Sequence, residues 1–145
     1  MKGENDMSSD WVHDIAEMHR KYGVNQWVEK TLEDGDFEKL SRFLEFRMNF
    51  LDEELGETKE AIANGDASEV VDGLIDLCVI AIGTMDAFGV DPRASWNRVH
   101  KANMAKEVGV KKSRPNPLGL PDMVKPEGWQ PPEHRDNVGH LADAL

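Results

Sequence analysis

The sequence predicts an all-α fold on the strength of three observations. All seven prolines of the 145-residue chain lie at or beyond Pro92, so the first ninety residues are free to form long helices. Apolar residues recur there at three- and four-residue steps, and no run alternates with period two over a useful length. β-branched residues are also sparse before Val70. We therefore expect helices and no sheet.

Two short helices are predicted first. Ser9 or Asp10 is a suitable N-cap for a helix that ends at Gly23, with apolar residues on one side. A second helix is expected over residues 24–31, and the Asp-Gly-Asp turn at 34–36 closes it.

A long helix is predicted over residues 37–63. It carries a continuous apolar stripe, formed by Leu40, Leu44, Met48, Leu51, Leu55 and Ile62. A rise of about 1.5 Å per residue makes this helix roughly 40 Å long. Gly65 suits the left-handed position that ends a helix, so the Asn-Gly-Asp segment at 64–66 separates it from the next helix.

The helix expected over residues 67–88 is apolar on every side along 74–82, which indicates burial over most of its circumference. Pro92 then suits the first position of a helix that extends to about residue 105. The linker between the long helix and the apolar helix is short, so the two should pack antiparallel. Because one chain can hardly cover the apolar helix, we expect a four-helix bundle with a second protomer, as a homodimer or homotetramer.

Composition excludes several classes of protein. The 28 acidic residues outnumber the 17 basic ones and leave a net charge of −11, which argues against binding a nucleic acid polymer. The single Cys78 cannot form an internal disulfide. Charged residues interrupt the first thirty positions and every long apolar run, so we expect neither a signal peptide nor a membrane span, and a cytoplasmic location.

Carboxylates are concentrated on the two long helices in a pattern that amphipathicity does not require. The first group is Glu53, Glu54, Glu57 and Glu60, and the second, at steps of three and four, is Glu69, Asp72 and Asp76. Antiparallel packing should bring the two groups opposite each other.

Such a cluster is costly. Two carboxylates about 5 Å apart repel by about 3 kcal/mol at an effective dielectric constant of about 20. Several such pairs approach the whole stability of a domain, about 5–15 kcal/mol. The cluster must therefore be protonated, face basic partners or bind a metal. Oxygen ligands favour Mg²⁺ or Mn²⁺. A solvated acidic face is the simpler interpretation of the first group alone, but not of the second group, whose carboxylates recur along an apolar helix.

These motifs resemble those of a known family. Glu54-Leu-Gly-Glu57, followed by Glu69-Val-Val-Asp72, resembles the E-x-x-E…E-x-x-D signature of the MazG-like, all-α nucleoside triphosphate pyrophosphohydrolases. The similarity continues through residues 71–77, 82–84, 88–91, 99–106 and 125–132. From about residue 11 to 132 the chain looks most like the short, single-domain MazG proteins of bacteriophages, whose setting would be the host cytoplasm.

The resemblance implies hydrolysis of a nucleoside triphosphate to monophosphate and pyrophosphate, with deoxynucleotides such as dGTP or dCTP as possible substrates. It implies that Glu54, Glu57, Glu69 and Asp72 hold Mg²⁺, which Mn²⁺ can replace. A bound water, deprotonated by Glu53 or its neighbour Glu54, is expected to attack the α-phosphorus.

Substrate-binding residues are expected mostly in the later part of the chain. Positive groups for the phosphates are expected on the helix after Pro92, and Trp129 can stack on a base. The predicted substrate-binding set is Asp76, Arg98, Lys101, Asn103, Lys106 and Trp129. Lysines late in a helix also complement its dipole, and Trp129 can equally be ordinary packing.

The resulting organisation has two parts. Residues 1–112 are expected to form the helical catalytic domain. Residues 113–145 should be a proline-rich, extended segment that packs on or near the active site and ends in mobile residues.

Two other interpretations compete with this one. A di-iron bundle needs Glu-x-x-His on two helices, and the sequence contains no such motif. An acidic helical interaction module, such as a DNA mimic, would display its carboxylates outward and would not need Asp72 and Asp76 on an apolar helix.

Overall fold

The computed structural model of the chain describes residues 10–114 and 116–145, and within them it confirms the all-α fold class. The elements are α1 Trp11–Tyr22, α2 Val24–Glu33, α3 Phe37–Ala63, α4 Ala67–Ala87, α5 Pro92–Met104, β1 Glu107–Gly109, β2 Asp122–Val124 and α6 Leu141–Ala144. The first five helices lie where the sequence predicts them, to within two residues at each end.

Side-chain caps explain why these boundaries were predictable. Asp10 accepts a hydrogen bond from the backbone N–H of His13 at 3.1 Å, and Asp36 and Asp66 cap α3 and α4 in the same way. Gly23 ends α1 at φ 77°, in the left-handed region that favours glycine. Ser9, the other candidate cap, lies outside the described residues.

The prediction that the chain has no sheet is wrong. β1 pairs with β2 in an antiparallel two-stranded sheet, with Val108 opposite Met123. Strands of three residues are too short to show an alternating pattern, so sequence periodicity could not detect them.

Two compact units divide the chain. Of the described residues, the first unit contains 10–92 together with 138–145, and the second contains 93–137 without residue 115. The predicted boundary after residue 112 lies inside the second unit. Buried apolar residues of the first unit form one cluster, namely Val28, Leu40, Ala87, Phe88 and Ala144.

The C-terminal residues contact this cluster, whereas we expected a mobile end. The backbone N–H of His140 donates to the carbonyl oxygen of Phe88 at 2.7 Å, and Ala144 is 2% exposed. Leu141 also packs on the cluster. A helix of four residues gives no periodic signal, and its burial depends on a surface that is distant in sequence.

The α3–α4 pair forms the largest helix–helix interface of the first unit, and it is antiparallel as predicted. Arg47 reaches Ile80 and Thr84, whereas Thr58 faces Gly73, so positions that rise along α3 meet positions that fall along α4. Both groups of acidic residues lie on these two helices.

Within the second unit, Arg98 of α5 connects the helix to the chain that follows the sheet. Its guanidinium binds the Asp136 carboxylate through two hydrogen bonds, of 2.7 and 3.0 Å, and also donates to the carbonyl oxygen of Glu133. His134 and Asn137 are both hydrogen-bonded to the Ser95 hydroxyl. These contacts hold the proline-rich segment against α5.

Among the described residues, no single helix is long and apolar enough to cross a membrane, although α4 and α5 together, as a bent pair, pass the same test of length and composition.

Candidate active site

One stripe of α3 faces α4, and Glu54 stands on it. The residues of this stripe are all buried or half-buried, namely Leu40, Leu44, Arg47, Leu51, Glu54, Thr58 and Ala61. Glu54 is therefore half-buried between the helices, and so is Asp76 on α4. The other predicted acidic residues, Glu53, Glu57, Glu69 and Asp72, are exposed.

Carboxylates from both helices surround Glu54. Its partial burial raises the pKa of the Glu54 carboxyl above its usual value, and the negative charges of its neighbours raise it further. The carboxylates that contribute are Asp76, Glu57, Glu53 and Asp72, in decreasing order. The two acidic groups predicted from the sequence are thus close enough to interact electrostatically.

Glu69 is not among the carboxylates that raise the pKa of Glu54. It lies in the first turn of α4, where its backbone N–H donates to the Asp66 cap at 3.2 Å. In the described part of the chain, no three Asp, Glu, His or Cys side chains are arranged so that they could hold a metal ion directly. Mutual repulsion favours this spreading of the carboxylates.

The chemistry of the five carboxylates nevertheless fits a hard divalent cation. They supply only oxygen donors, which Mg²⁺ and Mn²⁺ prefer. The salt bridges seen in the described residues do not involve any of the five. A cation would remove the repulsion that raises the pKa of Glu54.

Gly73 lets the two helices approach closely beside the acidic cluster. A Cβ atom on Gly73 would overlap the Thr58 hydroxyl oxygen and lie 3.1 Å from the Thr58 Cβ. The Thr58 hydroxyl in turn donates to the carbonyl oxygen of Glu54 at 2.7 Å. Gly73 and Thr58 therefore set the distance between α3 and α4 at this point. The point lies one helical turn from Glu54.

On the other side of Glu54 lies a polar group that the sequence analysis missed. Arg47 donates from Nε to the Thr84 hydroxyl at 3.0 Å and from Nη2 to the carbonyl oxygen of Ile80 at 2.9 Å. His19, only 3% exposed, pairs through Nδ1 with Asp86 at 2.9 Å. One signal was available: Arg47 and His19 both occupy core-facing positions of their helices.

Burial lowers the pKa of His19, and this effect outweighs the attraction of the Asp86 carboxylate. The nearby Arg47 guanidinium lowers the pKa further. Because a carboxylate only accepts hydrogen bonds, the proton of the neutral ring lies on Nδ1, and Nε2 is left as an acceptor.

The predicted phosphate-binding residues of α5 lie in the second unit. Arg98 and Lys101 line an open cavity of about 700 Å³ together with Trp129. The Arg98 guanidinium, however, is already engaged by Asp136 and Glu133. Arg98 therefore has a structural role in this unit, whatever it contributes to substrate binding.

Trp129 is held in place by α5. Its indole N–H donates to the carbonyl oxygen of Ala102 at 2.8 Å, and the ammonium groups of Lys106 and Lys125 lie 5.2 and 5.1 Å from the centre of its ring. Lys106 also donates to the Asn103 side chain at 3.2 Å. The structure thus groups Lys106, Asn103 and Trp129, while Asp76 belongs to the acidic cluster of the first unit.

Comparison with known proteins identifies the family. No curated protein matches the chain. The model of the phosphoribosyl-ATP pyrophosphohydrolase family matches residues 28–103, from α2 to α5, and the match includes both acidic groups. Since these residues are just over half of the chain, the protein belongs to the phosphoribosyl-ATP pyrophosphohydrolase family, and it is an enzyme of the pyrophosphohydrolase type that acts on nucleotide phosphates.

Proposed function

We propose that the protein hydrolyses nucleoside triphosphates, deoxynucleotides among them, to monophosphate and pyrophosphate in a Mg²⁺-dependent reaction. One observation carries the proposal: Glu54 is half-buried between two helices and within electrostatic reach of four other carboxylates, in a chain of a pyrophosphohydrolase family. An acidic interaction module would have no need to half-bury Glu54 and Asp76 between apolar helices.

The metal would be held by Glu54, Glu57 and Asp72, with Glu69 as a further ligand, after these side chains, which the structure holds apart, turn toward it. When bound, it would neutralise the triphosphate, polarise the phosphoryl oxygens and make a water more acidic. The Glu54 carboxyl, whose pKa is raised by partial burial and by the neighbouring carboxylates, must lose any proton that it carries before it can serve as a ligand.

Glu53 is the candidate general base. It is exposed, and it is close enough to Glu54 to raise the pKa of that group. An accessible carboxylate at the edge of the cluster can accept a proton from an attacking water and pass it to solvent. Glu53 adjoins Glu54 in the chain, so it is fixed by the same turn of α3 as the ligands.

Basic residues of the second unit are candidates for binding the phosphates. Residues 93–137 contain nine Lys and Arg against five Asp and Glu, whereas the rest of the chain contains eight against 23. Lys101 on α5 and Lys106 just after that helix belong to this basic set, and Asn103 can donate a hydrogen bond to a phosphate oxygen.

A panel of substrates tests the function. The protein is incubated with Mg²⁺ and each of the eight common nucleoside triphosphates, and the products are separated by ion exchange. Equimolar monophosphate and pyrophosphate are expected. Diphosphate and inorganic phosphate would exclude attack at the α-phosphorus, and no cleavage of any compound would leave the interaction module as the better account.

Phosphoribosyl-ATP is the second candidate substrate, because the family carries its name. It belongs in the same panel at the same concentration. Faster cleavage of phosphoribosyl-ATP than of any triphosphate would replace our assignment.

We also propose that two copies assemble through the α3–α4 pair, and a tetramer would extend the same contact. Large apolar side chains remain exposed on the two helices of the single chain, among them Phe46, Ile62, Val71 and Leu74. Large apolar patches on a protein surface normally mark interfaces. Its burial would complete the four-helix bundle that the apolar character of α4 predicts.

A further inference from the structure

A pocket of about 300 Å³ opens beside the acidic cluster, between α1, α3 and α4. Its polar lining consists of Glu54, Asp76, His19 and Arg47. A molecule whose phosphates are bound at the acidic cluster therefore has room for its remaining part in this pocket. The pocket is thus in the size range of a nucleobase.

Apolar side chains complete the pocket. Met18 and Phe50 lie at its edge, each 37% exposed, and Val79 lines it from α4. Flat and flexible apolar groups of this kind suit the face of an aromatic base. A few polar groups within apolar walls are the usual composition of a small-molecule site.

The polar wall offers defined hydrogen-bonding groups. Arg47 uses Nε and one hydrogen of Nη2 within the protein, and in the described part of the chain the two hydrogens on Nη1 have no acceptor. The Nε2 atom of His19 likewise has no hydrogen-bond partner among the described residues, since the ring is held through Nδ1 by Asp86. A charged donor thus stands beside a neutral acceptor.

Gly83 permits this arrangement. A Cβ atom at Gly83 would lie 2.7 Å from Nη2 of Arg47 and 3.0 Å from Nε2 of His19. Both groups therefore converge on the same point of α4, and only glycine leaves room for them. Arg47 and His19 are therefore neighbours, and both line the pocket.

We propose that this pocket binds the base of the substrate, and that Arg47 and His19 select bases in which a carbonyl group adjoins a ring N–H. Guanine, hypoxanthine, uracil and thymine have this edge. Arg47 would donate to the carbonyl oxygen, in the manner of arginine–guanine contacts in nucleic acid recognition, and His19 would accept from the ring N–H. The proposal rests on the proposed function, because the phosphates must be held at the acidic cluster.

Adenine and cytosine carry an amino group in place of the carbonyl. This group would direct its hydrogens at the Arg47 guanidinium, which can only donate. A site built to hydrogen-bond one group rejects an analogue that leaves its polar atoms unpaired. Binding of the amino bases should therefore be weaker by about 5- to 150-fold, the range of a good bidentate base contact.

The test measures binding apart from turnover. Dissociation constants are determined by calorimetry, with Mg²⁺, for α,β-methylene analogues of dGTP, dITP, dATP, dUTP and dCTP. The carbonyl bases should bind at least about 5-fold more tightly than the amino bases. Equal binding of both classes overturns the proposal, and failure to bind any analogue overturns both this proposal and the proposed function.

Variants locate the selectivity. Arg47→Lys keeps the charge but removes the planar fork, and His19→Gln replaces the fixed acceptor with an amide that can rotate. Each should reduce the preference for carbonyl bases to about 3-fold or less. Arg42→Lys, on an exposed position of the same helix, should leave the preference unchanged. Preserved selectivity in both pocket variants would refute the assignment.

A further variant tests the pocket even if the Arg47 variant does not fold. Val79→Phe fills the pocket from α4 without altering a charged group. It should weaken binding of the dGTP analogue by at least about 10-fold, while binding of imidodiphosphate with Mg²⁺ stays within about 2-fold. Equal losses for both compounds would mean that the pocket is not a separate base site.

Discussion

Glu57 and Glu60 are three residues apart on one helix, yet only Glu57 is among the carboxylates that raise the pKa of Glu54. Glu57→Gln should therefore lower pyrophosphate release by at least about 100-fold, as expected when a metal ligand is lost. Glu60→Gln is the matched control and should stay near the wild-type rate.

The same Glu57 variant should not unfold the protein. Removing one charge from the cluster relieves repulsion, so the midpoint of thermal unfolding without metal should stay the same or rise. Full activity of Glu57→Gln, or equal losses in both variants, would show that the acidic cluster is assigned to the wrong residues.

His19 predicts how stability depends on pH. Its pKa in the folded protein lies below the unfolded value of about 6.5, so the unfolded state binds the proton more readily. The free energy of unfolding should therefore fall as the pH decreases from about 7 through 6.5, by at most about 1.4 kcal/mol per pH unit, and stop falling on this account below the folded pKa.

Urea unfolding at pH 7.5, 6.5 and 5.5 measures this dependence. His19→Gln should remove the decrease over this range, even if the variant is less stable at every pH, whereas His13→Gln, at an exposed position, should retain it. An identical pH dependence in wild type and His19→Gln would contradict the burial argument.

Sequence reasoning found the acidic residues but not the pocket beside them. Glu54 and Glu57 belong to a motif whose charges stand out on any helix. Arg47 and His19, by contrast, are single polar residues at core positions. Their orientation depends on hydrogen bonds to Thr84 and Asp86, respectively. Partners that lie 37 and 67 residues away are brought together by packing, which no local pattern encodes.

At the scale of elements, helix boundaries were predictable because each is fixed by a local signal. Aspartate caps begin α1, α3 and α4, and Gly23 ends α1. The sheet and α6 were not predictable, since elements of three and four residues carry too few positions for a periodic pattern.

The spacing of α3 and α4 is an element-scale property that Gly73 controls. Gly73→Ala places a methyl group against Thr58, so the helices must separate, and we expect a loss of about 1–3 kcal/mol in the free energy of unfolding. Pyrophosphate release should also decrease, because the acidic groups of the two helices move apart. Urea unfolding and the product assay measure the two effects.

Gly56→Ala is the matched control on α3. A Cβ atom there would meet nothing within 4 Å, so the change should stabilise the helix by about 0.5–1 kcal/mol. Thr58→Ala combined with Gly73→Ala should restore part of the stability. Equal effects of the two glycine replacements would show that helix propensity, not contact with Thr58, determines the outcome.

The short helix α6 contributes to the first unit through one face. Ala144→Asp buries a charge in the cluster that contains Phe88 and should cost about 2–4 kcal/mol of unfolding free energy. Ala142→Asp, at an exposed position of the same helix, should change it by less than about 0.5 kcal/mol. Comparable stabilities of the two variants in urea would mean that the C-terminal residues do not pack on the core.

At the scale of the whole molecule, the apolar character of α4 exceeds what one chain can bury. Val71 and Leu74 are 62% and 53% exposed, although the sequence of this helix is apolar on every side along 74–82. The sequence pattern predicts a helix that needs a covering surface, and in the described chain part of that surface is missing at Val71 and Leu74. A second copy supplies it in our proposal, since its own α3–α4 pair carries the same apolar surface.

Leu74→Glu should therefore shift the protein from dimer to monomer, because two like charges would face an apolar interface without partners. Size-exclusion chromatography with light scattering at micromolar concentration measures the mass, which should be close to twice 16.3 kDa for the wild type. Leu118→Glu alters a side chain that is 79% exposed outside the helix pair and should leave the mass unchanged. A wild-type mass of one chain would contradict the assembly while leaving the acidic cluster, which lies within a single chain, intact as the proposed site.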